Sequence, residues 1–535
     1  MILFLTTFFL IFTLICVKNI RCGVYAVIFS MPLYLWRFSI FEIPTTVLEI
    51  MIYILFFVWS LNRIRKVLSR DNFYPKSFNK LVYNDIIQNL ERALAESFNG
   101  FRCFRKNNFA LSIGIALLFL GLTLSTFYSS NLRTSLGVCK GWFIDPFLFF
   151  VVFINVIKEK RHIISSLASW IFSGVAVSII SIFYLLNNDL TFDGRLKAFF
   201  LSPNHLSMYL APAFLIVLFF LLCKRKIDNE KLKILNIKYW ILNIKKLMNC
   251  ELTNLFAISN IQYPIFIVII SIPLYFTYSY GAFLGIFAGV AWLFYKIQIC
   301  HSDRSERGMS ERSGGICKRD LFVSADISSK NLSANRPLGS LLLTRDNKLK
   351  RMNKKLFLKI LILIILVTFI SITAVKFNQI VNSENRSSLH SRLMIWNAAA
   401  EIIKDNPVLG IGPGTFQDVY LSYSNRFNEP YLEWAVPQPH NIFLAFYLQT
   451  GLIGFIGFIL ILVWFFYSEL KNKNNNIQPA CRTGKYLISN VLTILMIYIL
   501  IHGLIDTTYW KNDLSLMFWL IIGMELTSFK NIDNG

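Results

Sequence analysis

The sequence predicts an all-α polytopic membrane protein, a bundle of about 12–13 transmembrane helices with one large outward loop. Three observations carry that prediction. Apolar windows of roughly 17–25 residues, the length needed to cross the hydrocarbon core, recur along most of the 535 residues. Hydrophobic residues make up 55% of the chain and its mean hydropathy is +0.53, too apolar for a water-soluble globule. The net charge of +24 is gathered in particular loops instead of being spread evenly.

The windows fall at 2–17, 23–36, 44–61, 109–129, 141–157, 163–186, 205–222, 260–279, 281–298, 356–375, 441–468, 486–504 and 513–529. Each is expected to be a helix, because inside lipid only a helix satisfies its own backbone hydrogen bonds. No positively charged stretch precedes the first, so no cleaved signal peptide is expected. The basic loops are 62–108, 223–258 and 299–355, with ten, eight and thirteen Lys/Arg against four, three and six Asp/Glu. Excess Lys and Arg marks the cytoplasmic side, and the short turn Lys158-Glu159-Lys160-Arg161 agrees. The stretch 376–440, with five basic against six acidic residues, therefore faces outward. Counting from it places the C-terminus inside. The N-terminus is outside for thirteen segments and inside for twelve, and both readings stay open.

Three parts follow: N-terminal transmembrane helices over 1–375 with the basic cytoplasmic loops, the outward loop 376–440, and C-terminal transmembrane helices over 441–535. The loop 299–355 is polar, Ser/Gly-rich and charged, which reads as a linker lying near anionic lipid. This distribution of charge suits membrane lipids as neighbours and not a nucleic acid. Nine cysteines, an odd number with none in 376–440, argue against a disulfide framework.

The outward loop carries its own structure. Leu389, Leu393, Trp396, Ala400 and Ile403 recur at spacings of four and three, predicting an amphipathic helix that ends at Asp405-Asn406-Pro407. A turn at Gly410-Ile411-Gly412-Pro413-Gly414 follows, with no Lys after it to make a nucleotide phosphate loop. Tyr420, Tyr423, Phe427, Tyr431 and Trp434 either anchor the loop at headgroup level or help to build a site.

Ionisable residues inside the spans are few: Glu49, with Lys359 and Glu525 nearer the ends. An ion-coupled carrier needs a mid-depth relay of such groups, and the sequence does not supply one. Polar and cationic residues gather instead in outward segments, among them Arg37, Arg133, Lys140, Arg195, Lys197, Asn204, His205, Arg392, His440, Asn441 and Asp506. Arginine forks suit a diphosphate, although each Arg is also accounted for by snorkelling to the interface. His440 precedes a helix beginning near Asn441, whose side chain could cap the free amides. A helix N-terminus disfavours imidazolium, the condition a general base needs; a hydrogen-bonded interface histidine is the other reading. Asp228-Asn229-Glu230 lies in a basic loop and no zinc-type His/Cys spacing appears, so a metal-independent reaction without a cofactor is expected.

The stretches SRLMIWNAAAEIIKDNPVLGIGPGTF (391–416) and PHNIFLAFYLQTGLIG (439–454) resemble the O-antigen ligase and O-antigen polymerase superfamily of lipid-linked glycan transferases, to which protein O-oligosaccharyltransferases are related. GRLKAFFLSPNHLSMYLAP (194–212), SMPLYLWRFSIFEIPTTVLE (30–49) and HGLIDTTYW (502–510) look like the same family, in the same order along nearly the whole chain. The resemblance implies a GT-C-type membrane glycosyltransferase of surface-polysaccharide biosynthesis. Such an enzyme transfers a glycan from a polyprenyl diphosphate carrier to a lipid, glycan or protein hydroxyl at the outer face of the inner (cytoplasmic) membrane. By that resemblance His440 activates the acceptor hydroxyl, Asn441 orients it or caps its helix, and Arg195 and Arg392 hold the diphosphate. Many members carry Thr-x-Ser-Arg-Gly where this chain has Thr277-Tyr278-Ser279-Tyr280-Gly281. Tyr280 does not supply that charge, so Arg37 or Lys140 is the expected substitute, or the donor is handled differently. A polyprenyl-glycan transporter or flippase is the alternative of another class, and it requires a path through mid-membrane. A structural membrane subunit would leave His440, Arg195 and Arg392 far apart.

Overall fold

The computed structural model describes residues 2–40, 43–70, 108–224, 262–295, 388–426, 433, 435–474 and 484–530. All of them but Ser388 fall in one compact unit, Met1–Ile297 together with Leu389–Gly535. The expected span at 356–375 and most of the basic loops lie outside the described residues.

The architecture is an all-α helical bundle. The helices are α1 (Ile2–Lys18), α2 (Ile20–Phe29), α3 (Val47–Arg70), α4 (Phe109–Tyr128), α5 (Leu132–Cys139), α6 (Asp145–Val156), α7 (Lys160–Leu186), α8 (Pro203–Lys224) and α9 (Gln262–Phe276). They continue as α10 (Tyr280–Tyr295), α11 (Ser388–Asp405), α12 (Phe416–Ser422), α13 (Ile442–Asn474), α14 (Gly484–Gly503) and α15 (Asn512–Lys530). Six segments among the described residues are long and apolar enough to cross a membrane: Val47–Arg65, Phe109–Tyr128, Leu132–Val156, Lys160–Leu186, Pro203–Leu222 and Ile442–Leu470. The protein is thus a polytopic membrane protein, with shorter apolar helices completing the bundle.

Two expected spans differ in detail. The window 23–36 is not one helix: α2 stops at Phe29 and a 3-10 turn runs Met31–Leu35. Pro32 explains the break, since it cannot donate within a helix and its ring crowds the preceding turn. The window 141–157 begins instead as α5 and passes through a wide π turn, Lys140–Ile144, into α6. The only strands among the described residues form a small antiparallel hairpin, β1 (Arg37–Ile40) with β2 (Ile43–Thr46), in which Arg37 pairs with Thr46. Phe4 stacks on Trp36 at 5.7 Å, so the N-terminal end of α1 lies at the same end of the bundle as the hairpin. Cys22 is disulfide-bonded, against the expectation from an odd cysteine count, while Cys16 and Cys139 are free.

Helices α4 and α13 cross on glycine. A Cβ at Gly121 would stand 2.1 Å from the Gly454 amide nitrogen, and one at Gly457 would stand 2.3 Å from that of Leu118. Small residues let backbones approach this closely in lipid, where dispersion replaces a hydrophobic driving force. Just above the crossing, α13 breaks at Gly451, whose φ of 67° and ψ of −179° are accessible to glycine almost alone. The segment 408–411 fills the break. Ile411 N donates to Leu448 O at 2.7 Å and Leu452 N donates to Val408 O at 2.9 Å. The loop backbone thereby pairs Leu448 O and Leu452 N, the two groups that the break separates, as a lipid environment requires. Gly451→Val should destabilise the protein by about 3 kcal/mol from backbone strain and the clash with Val408 O, read as a lower thermal midpoint and a lower monodisperse yield in detergent. An unchanged midpoint would show that the break is dispensable.

Helix α11 forms where expected and ends at Asp405, two residues before Pro407. Its buried face, however, is Ile395, Ala398, Ala399 and Ile402, packed on Phe416, Tyr420 and Leu448. Leu393, chosen from the periodicity, is exposed. Paired alanines carry little hydropathy signal, yet they let α11 sit close on its neighbours, and that rotates the helix from the expected face. Tyr420 is buried and donates to Glu433 O, and Tyr423 donates to Asp405 at 2.7 Å. Phe427, Tyr431 and Trp434 lie outside the described residues.

Candidate active site at the rim of the bundle

The helix ends that meet near α13 carry a connected polar network. His440 occupies a left-handed backbone conformation, φ 47°, which costs a non-glycine residue of order 1–3 kcal/mol and persists where its surroundings fix it. Those surroundings are visible. Trp396 on α11 donates its indole N–H to Pro439 O at 3.0 Å. Gln449 on α13 bonds the Gly414 amide at 2.8 Å and the Gln438 side chain at 2.5 Å. Asn441 caps α13, its Oδ1 accepting from the amides of Phe443 and Leu444 at 2.9 and 3.1 Å. Its Nδ2 donates to Leu504 O, tying the cap to the loop after α14.

That loop delivers Asp506. His440 Nδ1 lies 3.2 Å from Asp506 Oδ1, and Asn204 Nδ2 donates to Asp506 Oδ2 at 2.9 Å. Arg195 donates to Asn204 Oδ1 through one terminal nitrogen and to Thr277 O through Nε at 2.8 Å. One hydrogen-bonded chain therefore runs from His440 through Asp506 and Asn204 to Arg195. The Thr507 amide also donates to Asp506 at 2.8 Å. Burial would raise the Asp506 carboxyl, but the His440 hydrogen bond and charge, His502 and the Thr507 amide together hold it well below the usual carboxylate range. An ionised Asp506 only accepts, so in the neutral imidazole Nδ1 carries the hydrogen and Nε2 keeps its lone pair. His440 is about one-third exposed, at 29% of its side chain, which leaves the ring reachable from outside.

Burial pulls the Arg195 guanidinium below its ordinary value; Asp193 and Asp506 oppose that shift, and the charge of Arg392 adds to it. Arg392 is thus an electrostatic neighbour of Arg195, and Tyr280 bears on Arg195 as well. Holding two guanidinium groups beside one another favours an anion between them. Lys140 is placed differently: its ammonium is 2.7 Å from Glu49 and 3.2 Å from Pro44 O, with Asn512 donating to the other Glu49 oxygen at 3.0 Å. Arg37 lies on β1, exposed, and its charge bears on Tyr34 and Lys511.

Asp506 and Asn204 stood among the outward polar residues of the sequence, but nothing in their spacing linked them to His440. The HGLIDTTYW stretch was the available signal. Lys511, immediately after it, carried none. Below the rim, His205 Nε2 lies 3.2 Å from Asp513, and Tyr34 Oη approaches the same ring at 3.1 Å. This buried trio joins the 3-10 turn, α8 and α15. Among the described residues, Glu49, Glu469 and Glu525 lie toward the ends of their helices, while Asp145 is buried midway along the span Leu132–Val156 and accepts from Tyr53 at 2.7 Å. No group of His, Cys, Asp and Glu among them is arranged to hold a metal ion.

Fold and site together define a polytopic all-α membrane protein with an ionisable constellation at one rim of its bundle. Residues 338–459 match the family model described as O-Antigen ligase, a range that includes Arg392, Trp396, His440 and Gly451. A Rickettsia conorii protein named "Putative polysaccharide ligase RC0486" is 30% identical over 141 residues, covering 25% of this chain and 31% of that protein. A Rickettsia felis protein of similar name is 29% identical over 138 residues, with the same coverage. The chain therefore spans about a third of the length of the curated relatives it matches.

Proposed function

We propose that the protein is a glycosyltransferase of the outer face of the cytoplasmic membrane, moving a glycan from a polyprenyl diphosphate carrier to a hydroxyl acceptor in the manner of an O-antigen ligase. The observation that supports it most is the unbroken chain His440–Asp506–Asn204–Arg195, with Arg392 beside it, inside and adjoining the matched segment. The site residues then take these roles. Nε2 of His440 accepts the proton of the acceptor hydroxyl as its oxygen attacks the anomeric carbon. The carbon–oxygen bond to the diphosphate breaks, and polyprenyl diphosphate leaves with both electrons of that bond. Arg195, through its remaining N–H groups, and Arg392 stabilise the charge where it develops. Asp506 sets the imidazole tautomer and steadies the imidazolium that forms. Asn441 positions His440 by capping the helix behind it.

This reading predicts that the domain division is functional: 376–440 supplies the loop half of the site, while the helices of 1–375 and 441–535 supply the rest. A transporter of the same carrier would want a relay of ionisable groups through mid-depth; the ionisable network that reaches His440 lies instead at the helix ends, and the mid-span carboxyl of Asp145 is engaged with Tyr53. Trp396→Phe keeps most of the ring but removes the N–H that holds Pro439 O, a loss of about 1 kcal/mol. Turnover should fall several-fold with donor affinity unchanged, measured by transfer to acceptor and by carrier binding. A parallel loss of binding would instead mean that Trp396 contacts the donor.

A further inference from the structure

A second group of cations stands beside the site and is not used by the chemistry above. Lys511 is the last residue of the loop that delivers Asp506. The backbone around it is pinned: its amide donates to Tyr509 O at 2.8 Å, its carbonyl accepts from Ser515 N at 2.9 Å, and Tyr509 donates to Trp142 O at 2.9 Å. The next side chain, Asn512, bonds Trp142 and Glu49. The 3-10 turn that leads into β1 packs on α15, and the Tyr34–His205–Asp513 hydrogen bonds lock the two together. Arg37 therefore emerges next to the start of α15, where Lys511 sits.

The pair is unusual in what it lacks. Among the described residues neither the Lys511 ammonium nor the Arg37 guanidinium makes a hydrogen bond or an ion pair. The neighbouring carboxylates are already engaged, Asp513 with His205 and Asp506 with His440, Asn204 and Thr507. Burial pulls the Lys511 ammonium below its ordinary value; Asp513 and Asp506 oppose that, and Arg37 adds to it. Two like charges held together, one of them half-buried, cost free energy unless an anion lies between them.

We propose that Lys511 and Arg37 form a second anion subsite beside Asp506, separate from Arg195 and Arg392, that takes a phosphate group of one of the two substrates. The proposal deepens the transferase reading and rests on it for the identity of the substrates, but not for the existence of the subsite. A phosphate oxygen set between the ammonium and the guanidinium receives charge-assisted hydrogen bonds from both. The phosphate is either part of the carrier diphosphate or a substituent of the acceptor, and the same site chemistry serves both.

The test uses the full-length protein in detergent micelles as wild type, Lys511→Ala and Lys511→Arg, all required to elute monodisperse. Inorganic phosphate binding, followed directly by titration calorimetry, needs no turnover. Lys511→Ala should weaken it about tenfold, and Lys511→Arg should restore most of it. Equal phosphate affinity in wild type and Lys511→Ala overturns the subsite. A second arm assigns the source. About tenfold weaker binding of polyprenyl diphosphate alone in Lys511→Ala supports a carrier phosphate. Unchanged carrier binding, with a raised KM for a phosphorylated acceptor but not for its dephosphorylated form, supports an acceptor phosphate. A wild type that binds phosphate through Lys511 yet transfers no glycan would sink the transferase reading and leave the subsite standing.

Discussion

His440→Ala is expected to lower glycan transfer by about 10²–10⁴-fold, the range for removing a positioned general base, while polyprenyl diphosphate binding stays close to wild type. The expectation follows from geometry. The imidazole is the one group of the rim network that combines an accessible ring with a hydrogen-bonded carboxylate behind it. Arg195 and Arg392, which are assigned the diphosphate, do not depend on the ring for their placement. Arg195 is held by Thr277 and Asn204. The measurement is turnover and carrier affinity on the same preparation. Turnover that survives the substitution removes His440 from the mechanism, and a matching loss of affinity turns it into a donor contact.

Asp506→Asn should cost nearly as much, about 10²–10⁴-fold in turnover, for a different reason. The amide is isosteric, so the loop and the contact to Asn204 can persist. It is neutral, however, and can present N–H to the ring. The tautomer that leaves Nε2 unprotonated is then no longer enforced, and the imidazolium formed in the reaction loses its counter-charge. The loss should appear in kcat more than in KM, because Asp506 acts through His440. The variant also has a stability signature. Asp506 is held below the usual carboxylate range, so its ionised form contributes stability that is present above that range and is lost as pH falls through its folded value. Asp506→Asn should remove that part of the acid sensitivity. A variant with full kcat would show that the carboxylate is only a structural tie.

Much of the fold was legible because lipid narrows the choices. Apolar windows gave α3, α4, α7, α8, α13, α14 and α15 nearly in place, since a chain in hydrocarbon has few alternatives to a helix. The breaks were less visible. Pro32 could have been read as the end of α2, but its effect was hidden inside an apolar run. Gly451 looked like one more small residue of a helix–helix seam. It is instead the point where segment 408–411, some forty residues earlier, completes the hydrogen bonding of α13. No local pattern announces a hydrogen bond made across that separation.

The candidate site was legible in the same uneven way. His440, Asn441, Arg195 and Arg392 were chosen from residue type, outward placement and family resemblance, and the structure links the first three through one network and sets Arg392 beside it. Lys140 was chosen for its charge, but charge alone does not tell which carboxylate a lysine meets, and it meets Glu49. Asp506 and Asn204 were missed as partners because their links join residues 66 and 302 positions apart. Only the packing of α8, α13 and the loop after α14 brings them together.

The most direct measurement is transfer by the purified protein itself. A glycan on polyprenyl diphosphate is incubated with candidate hydroxyl acceptors, and both products are followed. Glycosylated acceptor and free polyprenyl diphosphate should appear one for one, with the acceptor that gains glycan separating a ligase from a polymerase. Carrier that crosses the bilayer with its glycan still attached, or that remains intact with every acceptor class while the protein binds it, would contradict a glycosyltransferase.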